Sequence, residues 1–380
     1  MINICFICSE YPPALTGGIG VFTKTLAENL SKKGHQVTVV GIYKNIEQSI
    51  LEEVINGVKV IRVNQPNRKF GWLMARIKVL KILRKLISNN NVEIIEDTDW
   101  DLLTAFGKLN NVPIVLRLHN AQLGILEHKK ELGKLRVILT QNVIKKALKI
   151  VGVSKLTSDS FKRLFDVENN CGFIYNGVNI TNQHADFSKR VKNDVIFAGS
   201  LVQKKGVIKL VEAWNMVVKI LPSAKLHVLG KDGRYDDISM KTHLQKILGK
   251  NKDSVIFHGH KNSNEVYDFF SKSYLAIFPS FIEAFSLVPL EAMANGCPTI
   301  FTKLTSGPEA IEDGVDGLLV DPYNVNEITD AIIRVLSDDE LAEKLSVNGY
   351  NRVNRDFNIQ QTVEENESFY LKCINEYNKN

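Results

Sequence analysis

The 380-residue chain contains no run of about 18 uncharged apolar residues, the length an α-helix needs to cross a bilayer. Its composition therefore excludes function as a helical membrane channel or carrier. Cysteine is scarce and odd in number, five in all. That excludes a dense disulfide framework and points to a reducing compartment, the cytosol. Cys5 and Cys8 form a single C-x-x-C, with no second pair to complete a zinc site. Positions three apart on a strand face opposite ways, so both read as core residues. The opening residues, Met1–Cys8, lack a basic leader and a small-residue cleavage site, and read as a short apolar strand rather than a signal peptide. Internal repeats and low-complexity tracts are also missing, which excludes solenoid and fibrous architectures.

What is present is ordinary for a globular protein, 44% hydrophobic and 24% charged residues. The length exceeds what one core holds and predicts two domains. The formal charge of +6 is divided unevenly. Residues 1–190 carry 27 Lys/Arg against 16 Asp/Glu, a net +11, and residues 191–380 carry 21 against 26, a net −5. A basic N-terminal half suggests a face that meets something anionic, and no motif points to nucleic acid. Short apolar runs alternate with longer amphipathic ones throughout, the pattern of parallel α/β domains. The polar stretch 181–192 reads as a linker, and the alternation then restarts. The predicted layout is a first α/β domain over 1–180, the linker, a second α/β domain over 193–355 and a helical tail over 356–380. Within it, Asp101–Leu109 reads as a helix and Asn351–Asn358 as a turn-rich stretch.

The most specific motif runs from Glu283 to Glu291, E-A-F-S-L-V-P-L-E. The apolar run before it, Leu275–Phe278, reads as a buried strand, and Leu287–Ala294 reads as a helix stopped by Asn295-Gly296 and Pro298. Glu283 then lies at a strand C-terminus, with Glu291 about two turns into the helix. At ~1.5 Å rise per residue, the helical part of their separation is roughly 10 Å, about the length of a sugar plus a diphosphate. The helix start between them, at Ser286-Leu287, offers free N–H groups and a positive dipole end suited to phosphate. The carboxylates suit ribose and sugar hydroxyls.

Other motifs sit at predicted strand ends. Pro13–Gly20 opens the first helix, and Gly17 and Gly18 let backbone approach a phosphate or a sugar. A dinucleotide fingerprint competes for that loop, but Thr23 stands at its third glycine and Gly41–Lys44 supplies no acid for a ribose. Gly199–Gly206, G-S-L-V-Q-K-K-G, brings Ser200, Lys204 and Lys205 to the end of the first strand of the second half. His119 ends the predicted strand Val115–Leu118. Glu96–Asp99 contains D-x-D, a motif that elsewhere holds a metal between diphosphate oxygens, and reads here as a solvated strand end. In Trp72–Ile87, Leu73, Val79, Leu80, Ile82, Leu83, Leu86 and Ile87 share one arc, broken by Arg76, and Lys78, Lys81, Arg84 and Lys85 face away. That suits a helix on an anionic membrane surface, or a packed helix with a basic solvent face.

Over about residues 2–355 these motifs resemble the retaining glycosyltransferases of family four (glycosyl transferases group 1). Glu283–Glu291 is similar to their donor-site signature, with Ala284 and Ser286 where glycines are common. Lys205 aligns with a family lysine, whereas Ser200 replaces a family arginine, with Lys204 as a substitute cation. The resemblance implies an α/β, GT-B fold: two Rossmann-like parallel-sheet domains facing across a cleft, the first binding acceptor and the second donor, with a tail that crosses back to the first. It implies hexosyl transfer from a UDP- or GDP-sugar with no cofactor and no metal. Glu283 would hold the donor sugar and Glu291 the ribose, while Lys205 and the N–H groups near Ser286 and Leu287 would grip the diphosphate. Gly17, Gly18 and His119 would complete the pocket, His119 supporting positive charge on the reacting sugar. The catalytic candidates are thus Glu283, His119 and Lys205. The basic first half favours a lipid-linked saccharide of surface polysaccharide assembly as acceptor, on a cytoplasmic protein peripheral to the membrane. A soluble acceptor, or a nucleotide-sugar epimerase on the same fold, are the alternatives.

Overall fold

The computed structural model describes residues 1–13, 17–120, 129–167, 170–180 and 186–379. They form two compact units, Met1–Asn176 with Ile359–Asn380, and Gly177–Asn358.

The first unit contains β1 (Asn3–Ile7), α1 (Gly18–Lys32), β2 (Gln36–Tyr43), β3 (Ile50–Ile55), β4 (Val58–Asn64), α2 (Gly71–Ser88), β5 (Ile94–Thr98), β6 (Ile114–Leu118), α3 (Lys134–Ile144), β7 (Lys149–Gly152), α4 (Lys155–Phe165) and β8 (Cys171–Phe173). Its strands lie in the order β3-β4-β2-β1-β5-β6-β7-β8, parallel except for the β3–β4 hairpin. From Ile4 on, β1 is apolar without a break because helices cover both of its faces. Ile4, Phe6 and Cys8 pack with Phe22, Leu26 and Leu30 of α1, while Cys5 and Ile7 pack with Val79, Leu80 and Leu83 of α2. Cys5 and Cys8 are thus core thiols on opposite faces, and all five cysteines are free and buried.

One element expected in this unit departs from the sequence reading. Asp101–Leu109 is not an α-helix. Only a short 3-10 turn forms, at Leu103–Phe106, because Leu102 takes left-handed backbone and the buried Asp97 carboxylate captures both the N–H and the hydroxyl of Thr104 at 2.7 Å. On α2, most of the apolar arc packs into the core, with Val79, Leu80, Leu83 and Leu86 buried. Phe70, Trp72, Met74 and Ile77, around its N-terminal end, are the apolar residues left exposed.

The second unit contains β9 (Val191–Ala198), α5 (Val207–Ile220), β10 (Lys225–Leu229), β11 (Arg234–Tyr235), β12 (Ile238–Ser239), α6 (Met240–Leu248), β13 (Val255–Gly259), α7 (Ser263–Lys272), β14 (Ser273–Phe278), α8 (Leu287–Ala294), β15 (Thr299–Thr302), α9 (Gly307–Ala310), β16 (Leu318–Val320), α10 (Val325–Ser337) and α11 (Asp339–Asp356). Six strands run parallel in the order β13-β10-β9-β14-β15-β16, and β11–β12 is a separate two-stranded ribbon. β9 opens inside the stretch read as linker, of which 181–185 lie outside the described residues. Asn351–Asn358 is mostly helix rather than turns. Burial of Val353 and Phe357, and the ion pair from Arg352 to Asp356 at 3.1 Å, carry α11 past its poor helix formers.

The chain ends in α12 (Ile359–Lys379), which belongs to the first unit. Ile359, Val363, Tyr370 and Cys373 join the core beneath α1. A buried polar cluster fixes the helix: Arg117 of β6 grips Glu96 of β5 at 2.7 and 2.8 Å and donates to Asn366, and the Tyr370 hydroxyl donates to Glu96 at 2.7 Å. Among the described residues no helix is long and apolar enough to cross a membrane.

Candidate active site

In the second unit the candidate residues gather where parallel strands end. After β9, Gln203–Lys205 form a 3-10 turn capped by Gly206 at φ +72. A Cβ on Gly206 would stand 1.8 Å from the carbonyl oxygen of Pro279, so only glycine lets this turn touch the loop that follows β14. The Phe281 N–H also donates to the Lys204 carbonyl at 2.9 Å. This contact delivers Lys205: its Nζ donates to Glu283 Oε1 at 2.6 Å. Glu283 is 8% exposed, and its own N–H donates to the Thr305 hydroxyl at 3.2 Å, from the loop after β15. Three strand-end loops therefore meet at one residue, Glu283. Lys204 and Ser200 are exposed on the same rim.

Farther along, Ser286 caps α8 without a side-chain hydrogen bond, and the first turn from Leu287 carries no acid. The positive end of that helix is thus uncompensated by its own side chains. Glu291 lies about one turn into α8 rather than two, because the helix starts only at Leu287, and it accepts from the Tyr267 hydroxyl of α7 at 3.1 Å. Burial pushes its carboxyl pKa up, and the Tyr267 bond pulls partly the other way.

In the first unit, His119 follows β6. Its N–H and that of Asn120 donate to the two oxygens of Asp99, at 2.8 and 3.1 Å, and its ring meets Phe22 of α1 edge-on at 5.1 Å. Burial, reinforced by the Arg117 charge, pushes the imidazole pKa down to about 3, so the ring is neutral. Its Nε2 is buried with no hydrogen-bond partner among the described residues. Gly17 caps α1 and donates its N–H to Glu10 Oε2 at 3.0 Å, and a Cβ on it would meet that same oxygen at 2.6 Å. An acid of this chain thus sits at the helix start that the sequence reading assigns to a ligand. Gly18 has open space at its Cβ position, and residues 14–16 of the same motif lie outside the described residues.

The D-x-D segment is not a solvated strand end. Glu96, Asp97, Thr98 and Asp99 are all buried, because Arg117, Thr98, Thr104, His119 and Asn120 supply their carboxylates with donors. Among the described residues no group of three His, Cys, Asp or Glu is placed to hold a metal ion. Glu10, Tyr267 and Thr305 carry no signal as single letters, and Asp99 is noticed only within D-x-D, not as the partner of His119. The roles become visible only through partners 7 to 24 residues away.

Two family models cover nearly the whole chain, glycosyltransferase family 4 at residues 16–182 and glycosyl transferases group 1 at residues 179–352. The chain is 25% identical to an uncharacterized glycosyltransferase of Methanocaldococcus jannaschii, over 97% of this chain and 98% of that one. Sucrose-phosphate synthase from Thermosynechococcus elongatus has the same fold, with a TM-score of 0.79 at 20% identity over 98% and 99% of the two chains. So does Anabaena HepE in complex with UDP and glucose, with a TM-score of 0.76 at 17% identity over 98% and 100%. The chain belongs to the group 1, family-four glycosyltransferases, retaining enzymes of the GT-B fold that draw on a nucleotide sugar.

Proposed function

We propose that this enzyme moves a hexosyl group from a UDP- or GDP-sugar to a lipid-linked saccharide bound by its first unit. The observation that carries the donor side is the Lys205–Glu283 pair at 2.6 Å, a cation and a nearly buried carboxylate held at adjoining strand ends. Without donor the two neutralise each other. With donor, Lys205 turns to the diphosphate and Glu283 accepts from sugar hydroxyls. The uncapped start of α8 at Ser286-Leu287 faces the same anion, and Glu291 receives the ribose diol. UDP as the diphosphate agrees with the ligand of the Anabaena structure.

The reaction is the one that membership of a retaining family implies. The acceptor oxygen attacks the anomeric carbon on the face the diphosphate leaves, the carbon–oxygen bond to phosphate breaks, and the acceptor proton passes to the departing phosphate oxygen. The protein contributes positioning and charge: Lys205 and the helix start stabilise the leaving group. His119, neutral and with no partner for its ring nitrogen among the described residues, is suited to a polar contact with a sugar hydroxyl rather than to proton transfer. The lipid-linked acceptor is supported by the basic first half and by the exposed aromatic end of α2.

The test is a thermal-shift comparison of UDP, GDP and ADP, followed by transfer assays with the preferred donor. Glu283→Gln should lower kcat at least 100-fold while leaving the unfolding midpoint in place. Turnover equal to the parent enzyme would reject the assignment.

A further inference from the structure

The loop after β15 contains a conformation its sequence should avoid. The Gly307 N–H donates to the Leu304 carbonyl at 3.1 Å and closes a four-residue turn. Thr305 has φ +53, and Ser306 has φ −82 and ψ 4. Those are the signs of a type II′ turn, whose second position ordinarily holds glycine. A β-branched residue there is a steric outlier that only surrounding contacts can hold in place. The turn has little freedom to relax, since a Cβ on Gly307 would already lie 1.7 Å from the Thr302 carbonyl. Glycine at 305 would remove the strain, yet threonine stands there.

The threonine hydroxyl serves a neighbouring loop rather than its own. Ser306, not Thr305, stands at the N-cap position of α9, and its side chain makes no capping bond. Thr305 Oγ1 instead accepts the N–H of Glu283 at 3.2 Å. Glu283 is then fixed at both ends, its backbone by Thr305 and its carboxylate by Lys205 at 2.6 Å. When Lys205 turns to a diphosphate, the Thr305 bond is the restraint that remains. We propose that Thr305 is a positioning residue for transfer, a strained side chain that holds the Glu283 backbone so that its carboxylate meets the donor sugar in one orientation. The inference rests on the role given to Glu283 above.

Three substitutions separate this role from a merely structural one. Thr305→Ser keeps the acceptor oxygen, Thr305→Val keeps the shape and loses it, and Thr305→Gly loses it while relaxing the turn. The assay reads UDP release from UDP-glucose without acceptor, alongside amide hydrogen exchange at Glu283. Thr305→Gly should unfold no earlier than the parent chain while kcat falls 10- to 30-fold with KM nearly unchanged. Thr305→Val should lose as much activity, and Thr305→Ser should stay within threefold. Glu283 amide exchange should quicken about tenfold in the Gly and Val variants and not in Ser. Exchange equal to the parent in Thr305→Val would overturn the proposal whatever the donor. So would parental kcat in the Val and Gly variants alongside an inactive Glu283→Gln. Parental activity in Glu283→Gln would instead remove the role of Glu283 itself.

Discussion

At the scale of single residues, His119 shows how environment sets chemistry. An imidazole ordinarily titrates near 6.5, and burial with Arg117 nearby lowers this one to about 3. Between those values the unfolded chain binds a proton that the folded chain refuses. The stabilisation is complete above pH 6.5 and is lost as the pH falls toward 3. At pH 5 the difference is about 2 kcal/mol. His119→Asn has no such group, so its stability penalty relative to the parent should shrink by about that amount between pH 7 and pH 5. Urea titrations at the two values measure it, and a penalty that does not change would show that His119 is not held neutral. Glu283, Lys205, Glu291 and His119 were all legible in the sequence, because each flanks an apolar run that reads as a strand or a helix. Tyr267 and Thr305 were not, nor was Asp99 beyond its place in D-x-D, because what distinguishes them is a partner 20 to 24 residues away across a sheet or helix packing.

At the scale of elements, the alternation of apolar runs was enough to expose both parallel sheets, and it failed where tertiary contacts overrule local preference. β3 escapes that reading because it is an edge strand with alternating exposure, although Asn56-Gly57, with φ values of +48 and +84, is a type I′ hairpin signal. α2 is the element whose two readings the structure separates. Its later turns are core, while Phe70, Trp72, Met74 and Ile77 stand exposed beside Arg68, Lys69, Arg76 and Lys78. The Arg76 guanidinium lies 5.3 Å from the Trp72 ring and Lys69 Nζ lies 5.4 Å from that of Phe70, an aromatic and basic mixture suited to anionic headgroups. Each Lys or Arg near such a surface contributes roughly 1 kcal/mol, screened by salt. The enzyme should therefore sediment with phosphatidylglycerol vesicles at low salt and release at high salt, and should ignore phosphatidylcholine. Trp72→Glu should cut the bound fraction several-fold. Failure to bind at low salt would favour the soluble acceptor.

At the scale of the whole molecule, the chain order and the structural units disagree in an informative way. Gly177–Asn358 is contiguous, with its own six-stranded sheet, whereas the first unit is made from Met1–Asn176 and the distant α12. Periodicity identifies α12 as a helix but cannot say which core it enters. That is settled by Arg117, a charge inside β6 that pairs with Glu96 and takes its remaining partners from Asn366 and Tyr370. Without α12, the Glu96 carboxylate loses a bond to Tyr370, a loss of roughly 1.5–3 kcal/mol for a charged acceptor. The apolar face formed by Phe6, Leu26 and Leu30 also loses its cover of Val363, Tyr370 and Cys373. Gly177–Asn358 expressed alone should therefore unfold in one cooperative transition. Met1–Asn176 alone should be aggregated or molten, with weak near-ultraviolet circular dichroism. Joining Asn176 to Ile359 through a short glycine–serine linker should restore cooperative unfolding, since Thr362 already bonds the Tyr175 carbonyl at 3.3 Å and the two ends are close. Equal stability of Met1–Asn176 with and without the helix would mean that α12 covers a core able to stand by itself.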